Sequence, residues 1–124
     1  MKRFLFPLVL AAVTLPLAAE KKLTPEELAQ ALEKKDKVFL LDVREPNELT
    51  EAGAIDGYVN IPLGQLQNRL KEVPKDKLII TYCMRGNRAG QAAAILEKAG
   101  YDVYGSCGIV PWKEKGYKTV QPKK

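Results

Sequence analysis

The chain of 124 residues contains no histidine, two cysteines and one tryptophan. The missing imidazole excludes Ser-His-Asp and Cys-His catalysis, together with the usual zinc ligand sets. Any chemistry here must run without it. No stripe of one charge sign is present either. The lysines of EKKDK, KEVPKDK and WKEKGYK are interleaved with acids, which marks a solvated surface and argues against nucleic acid as a partner. There is no internal repeat and no low-complexity segment, and the length suits one domain with a modest core.

What is present begins with MKRFLFPLVLAAVTLPLAAE, where a basic start at Lys2 and Arg3 leads into an apolar run from Phe4 to Leu17 and small residues at Ala18 and Ala19. The run is shorter than the ~20 apolar residues of a comfortable membrane span. It has the three-part pattern of a secretory signal peptide over residues 1–19, with cleavage expected after Ala19. An uncleaved anchor is the alternative. Cleavage leaves one domain over residues 20–124, periplasmic or secreted and without a membrane attachment. Losing Lys2 and Arg3 lowers the net charge by two, from +5 to +3. Export would place Cys83 and Cys107 in an oxidising compartment, so a structural disulfide competes with a reactive thiol.

Along the mature chain, Thr24 as N-cap, Pro25 at the first helical position and Glu27 as the capping-box partner open a first helix, expected to end near Lys35. VFLLDV from Val38 to Val43 is a continuous apolar run, as in a strand buried on both faces. Asp42, Arg44 and Glu45 close that strand where ligands of parallel sheets bind, and are read as a structural ion-pair and capping network or as a binding edge. A short helical stretch, NELTEAG, follows. Asp56-Gly57 forms a turn, Tyr58 to Ile61 a short strand, and Leu63, Leu66, Leu70 and Val73 mark one amphipathic helix closed by Pro74. After Gly100, YDVYG is read as the last strand, and Cys107, Gly108 and Pro111 as an irregular turn before WKEKGY. Alternating helices and short apolar strands indicate an α/β domain, with a mostly parallel sheet and helices on both faces.

The most informative stretch is LIITYCMRGNRAGQAAAIL, Leu78 to Leu96. A β-branched strand passes through an abrupt polar loop into an alanine-rich helix, and Cys83 stands at the switch. Helix N-termini carry unpaired N–H groups and partial positive charge, so a sulfur held there is favoured as an anion. Arg85 and Arg88 add full charges. Cys83 is therefore a candidate nucleophile facing anionic sulfur or oxygen species. A buried inert cysteine is the bland alternative, as are solvent-facing roles for the arginines. Arg85 is assigned to donor binding and Arg88 to bracing the loop. Gly86 is expected to take a left-handed backbone, with Asn87 in a similar local role.

Four segments in order, LLDVREPNEL, AGAIDGYVNIPLGQL, YCMRGNRAGQAAAILEKAGY and GIVPWKEKGY, resemble the single-domain rhodanese-like sulfurtransferases over about Leu23 to Tyr117. A secreted chain of this size is similar in particular to the family's periplasmic phage-shock type. The resemblance implies a rhodanese-like three-layer domain and a thiosulfate-type sulfurtransferase without a cofactor or metal. Cys83 would take the outer sulfur of a small anionic donor such as thiosulfate, release sulfite, and hold a persulfide. Cyanide, a thiol or a protein thiol would then accept the sulfur. Backbone N–H groups from Met84 to Arg88 are expected to hold that persulfide. Family phosphatases and arsenate reductases have a Cys-x5-Arg loop, whereas Arg88 here follows Cys-x4, which favours sulfur transfer.

Two departures stand out. Ala54 and Asp56 replace a usual histidine and proline in a turn, and Cys107-Gly108 replaces a Gly-Gly pair, placing a second thiol on a loop at the active-site side. Two further readings stay open: a redox module in which Cys107 resolves oxidised or persulfidated Cys83, with a Cys107 that merely fills a small buried site as its alternative, and a non-catalytic interaction domain.

Overall fold

VFLLD and LIITYC become the paired central strands, because only strands covered on both faces can carry uninterrupted apolar residues. The computed structural model describes residues 21–122. The leader expected over residues 1–19 lies outside them. In the structure β1 (Val38–Asp42), β2 (Tyr58–Asn60), β3 (Leu78–Cys83) and β4 (Val103–Gly108) form one sheet, ordered β2-β1-β3-β4. All pairings are parallel, with Leu40 opposite Ile80 and Cys83 opposite Gly108. The segment Lys21 to Leu23 adds a short parallel bridge to the β4 edge. Its Leu23 N–H donates to the Ser106 carbonyl (2.8 Å), and the Ser106 N–H donates to the Lys21 carbonyl (2.9 Å).

The helices are α1 (Pro25–Leu32), α2 (Pro46–Ala52), α3 (Leu63–Leu66), α4 (Asn87–Lys98) and α5 (Ile109–Glu114). Side-chain alternation along the strands divides the core in two. Leu41, Val43, Ile79 and Cys83 pack with Leu66 of α3 and with Ala89, Ala92, Ala93 and Leu96 of α4. On the opposite face Leu40, Ile80, Tyr82 and Cys107 pack with Leu28 of α1 and with Ile109 and Trp112 of α5. The result is the three-layer α/β arrangement expected. Small alanines on the buried face of α4 let its backbone lie close to the sheet, directly behind Cys83. Each fully buried Leu or Ile contributes about 1.5–3 kcal/mol. Among the described residues no helix is long and apolar enough to cross a membrane.

Several boundaries differ from expectation. α1 ends at Leu32, and its last turn tightens, with the Lys34 N–H donating to the Ala31 carbonyl. β2 stops at Asn60, although the Ile61 N–H still reaches the Asp42 carbonyl. The single amphipathic helix from Leu63 to Val73 is instead α3 followed by a 3-10 turn over Leu70–Glu72. The N–H groups of Asn68, Arg69, Glu72 and Val73 all bond three residues back, Arg69 leaves helical geometry at φ −123°, and the Leu70 carbonyl accepts from the Tyr101 hydroxyl. The last strand is shifted from YDVYG, running over Val103–Gly108, and the irregular turn around Cys107 is absent. Cys107 and Gly108 pair with Tyr82 and Cys83, and α5 starts at once with Pro111 in its first turn, where a missing N–H costs nothing.

Candidate functional site

Cys83 is the last residue of β3, and only Met84, Arg85 and Gly86 separate it from the first helical residue of α4, Asn87. Such a short connection needs a reversal of the backbone at Gly86, which has φ 110°, a value that side chains rarely tolerate. The reversal turns the Gly86 N–H onto Cys83 Sγ at 3.0 Å. The Ala89 N–H, in the first turn of α4, approaches the same atom at 3.4 Å. Two backbone donors and a helix N-terminus thus converge on one sulfur. Cys83 is 1% exposed and forms the floor of an open depression of about 200 Å³, lined by Met84, Arg85, Asn87 and Arg88.

Within Met84 to Arg88, the segment expected to hold a persulfide, the Gly86 N–H donates to the free thiol itself, and a second donor, Ala89, lies one residue beyond Arg88. The structure corrects the role of Asn87. It begins α4 with ordinary negative φ, and only glycines take positive values among the described residues.

The loop is held from behind by Gly108. A Cβ there would lie 2.6 Å from the Met84 carbonyl oxygen and 2.8 Å from Arg85 Cα and carbonyl carbon, so the strand end and the loop can touch only because Gly108 has no side chain. The Val110 N–H donates to the Met84 carbonyl at 3.0 Å. Lys22 was not singled out from the sequence, yet its ammonium donates to the Gly86 carbonyl at 3.0 Å.

The charges divide into three groups. Asp42 and Arg44 are both completely buried and joined through Arg44 Nε and Nη2, the shortest contact being 2.7 Å. Arg44 Nη2 also donates to the Gly53 carbonyl (2.9 Å), while the guanidinium lies 5.3 Å from the Tyr82 ring centre. This pair is a brace beneath the site edge, and removing one partner of such a pair costs about 3–5 kcal/mol. Arg88 makes a fork-to-fork pair with Glu48 at 2.6 and 2.8 Å. Hydrogen bonding from Arg88 holds the Glu48 carboxyl down to about 2. Glu48 also accepts from the Glu45 N–H, so one carboxylate ties the start of α2 to the start of α4. Arg85, by contrast, is exposed and has no hydrogen-bond or ion-pair partner among the described residues. It is the loop cation left available for a ligand.

Cys107 is buried in β4 opposite Tyr82, on the face away from Cys83. Burial first, and the proximity of Cys83 second, push its thiol up to about 12. Both cysteines are free thiols. Since side chains on opposite faces point apart, a Cys83–Cys107 bridge would require the strands to move.

Comparison with known proteins places this geometry in context. The model of the Rhodanese-like domain matches residues 24–115. A sulfurtransferase of Allochromatium vinosum is 35% identical over 101 residues, covering 78% of this chain and 92% of that protein. The uncharacterised protein YqhL of Bacillus subtilis is 46% identical over 80 residues, covering 64% of this chain and 60% of its own length. Among solved structures, a rhodanese-related protein of Thermoplasma volcanium superposes with a TM-score of 0.74 at 31% identity, covering 82% of this chain and 99% of that one.

Proposed function

The chain belongs to the rhodanese-like domain family, and from that premise we propose that it moves sulfane sulfur from a thiosulfate-type donor, through a persulfide on Cys83, to a thiophilic acceptor such as cyanide or a thiol. The observation that carries this reading is the convergence of the Gly86 and Ala89 N–H groups on Cys83 Sγ at the floor of an open depression. In the first half-reaction the Cys83 thiolate attacks the outer sulfur of thiosulfate. A bond forms between the two sulfurs, the S–S bond of the donor breaks, and sulfite leaves with the electron pair. In the second, the acceptor attacks the outer persulfide sulfur and Cys83 departs as the thiolate.

Both steps keep negative charge near one place, so donors fixed before the reaction stabilise it without a proton being moved. A chain without histidine can run such chemistry. Arg85, exposed and unpaired among the described residues, is the group suited to the sulfonate end of the donor. Arg88 acts indirectly by fixing the start of α4 through Glu48. The reading predicts double-displacement kinetics for thiocyanate formation from thiosulfate and cyanide, seen as parallel lines in double-reciprocal plots. Intersecting lines would show that both substrates must bind together, and would contradict a covalent sulfur carrier.

A further inference from the structure

Lys22 lies 64 positions from its partner in sequence, outside the loop and outside the depression. It is brought there by a built attachment. Leu23 is buried, and a Cβ on Gly105 would lie 2.8 Å from Leu23 Cγ, so the absence of a side chain at Gly105 admits Leu23 against β4. Two backbone hydrogen bonds to Ser106 then fix the segment's register. From that register the Lys22 ammonium reaches the Gly86 carbonyl at 3.0 Å, and it sits 3.6 Å from where a Gly86 Cβ would be.

The Gly86 carbonyl already accepts the first helical hydrogen bond of α4, from the Gly90 N–H at 2.9 Å. A cation at a helix N-terminus is disfavoured by the helix dipole. Lys22, Arg85 and Arg88 nevertheless gather there, and among the described residues only Arg88 of these pairs with a carboxylate. An arrangement of that kind is offset when the adjacent sulfur site holds negative charge.

Resting on the sulfur-transfer reading, we propose that Lys22 is a positioning residue of the Cys83 loop: by binding the Gly86 carbonyl it keeps the Gly86 N–H aimed at the sulfur and adds a positive charge on the persulfide's side of the loop. The anchored N-terminal segment is thereby part of the site, although it contributes nothing to the depression itself.

The test compares the parent with Lys22→Met and Lys22→Arg in two measurements. The first is amide hydrogen exchange over Met84–Asn87, which needs no substrate. The second is the rate of sulfur loading from thiosulfate, read by intact-protein mass. Lys22→Met should speed exchange in that loop and slow loading about fivefold, as expected for loss of one charged hydrogen bond at a partly exposed position. Lys22→Arg should restore loading to within about twofold, and the urea midpoint of Lys22→Met should fall by no more than about 0.5 M. Unchanged exchange and unchanged loading in Lys22→Met would overturn the proposal. So would an equal loss of loading in both variants. If the parent itself takes up no sulfur while the exchange change is present, the sulfur-transfer reading fails and the positioning of the loop by Lys22 stands.

Discussion

Replacing Gly108 by alanine puts a methyl group into a space whose three nearest atoms are all backbone. Its carbon would sit 2.6 Å from the Met84 carbonyl oxygen and 2.8 Å from Arg85 Cα and carbonyl carbon. No flexible side chain can move aside, so either β4 or the loop must yield. Overpacking of this kind costs about 1–3 kcal/mol. With a urea slope of about 2 kcal/mol/M, a loss of about 2 kcal/mol lowers the midpoint by about 1 M. Because the displaced atoms immediately precede Gly86, the same strain moves the Gly86 N–H off Cys83 Sγ, and removal of one such donor slows charge-stabilised chemistry by about 10²-fold. The proper control is Gly64→Ala, an exposed position in α3 with nothing within 4 Å of the added carbon, where alanine should stabilise by about 0.4–1 kcal/mol. Unfolding followed through the sole tryptophan, Trp112, and sulfur loading followed by mass give both readouts. If Gly108→Ala kept the parent midpoint and loading rate, the argument that Gly108 buttresses the loop would be refuted.

Other outcomes follow from the charges and the second thiol. The folded pKa of Glu48, about 2, lies below its ordinary 4.5, so its pairing stabilises the protein fully above that ordinary value and is lost as pH falls toward 2. With side chains 21% and 34% exposed, the pair is worth about 1 kcal/mol after solvent screening. Glu48→Gln should remove that amount at pH 7 and leave a shallower loss of stability between pH 4.5 and 2. Urea midpoints at pH 3 and 7 check this, and equal acid sensitivity in both proteins would contradict it. Cys107, pushed up to about 12 and buried, should resist iodoacetamide at pH 8 in folded Cys83→Ser and react only after unfolding. Alkylation of the folded variant at the rate of a free thiol would contradict that placement. Cys107→Ala should load sulfur like the parent, whereas a resolving role for Cys107 predicts altered persulfide loss.

What could be read in the sequence was local. The strand, the loop and the helix from Leu78 to Lys98 announce themselves through β-branched residues, an Arg-Gly-Asn-Arg break and an alanine-rich face, and all three elements stand there. The capping box at Thr24 and Glu27 was equally legible. Partners distant along the chain were not. Glu48 carries no signal in the sequence, because its ion pair with Arg88, 40 residues away, depends on how α2 lies beside α4. Lys22 had no signal at all, since its register comes from pairing with Ser106. Cys107 reads as loop in the sequence because Gly108 and Pro111 beside it look like turn residues. Strand pairing with β3 overrides that local tendency, and Gly105 and Gly108 instead mark close approaches of Leu23 and of the active-site loop.

The most direct measurement of the central claim is the mass of the intact protein after incubation with thiosulfate and removal of the donor. The account predicts a gain of one sulfur atom, located on Cys83, lost stoichiometrically as thiocyanate when cyanide is added, and absent from Cys83→Ser. Sulfur uptake by Cys83→Ser equal to that of the parent would contradict it.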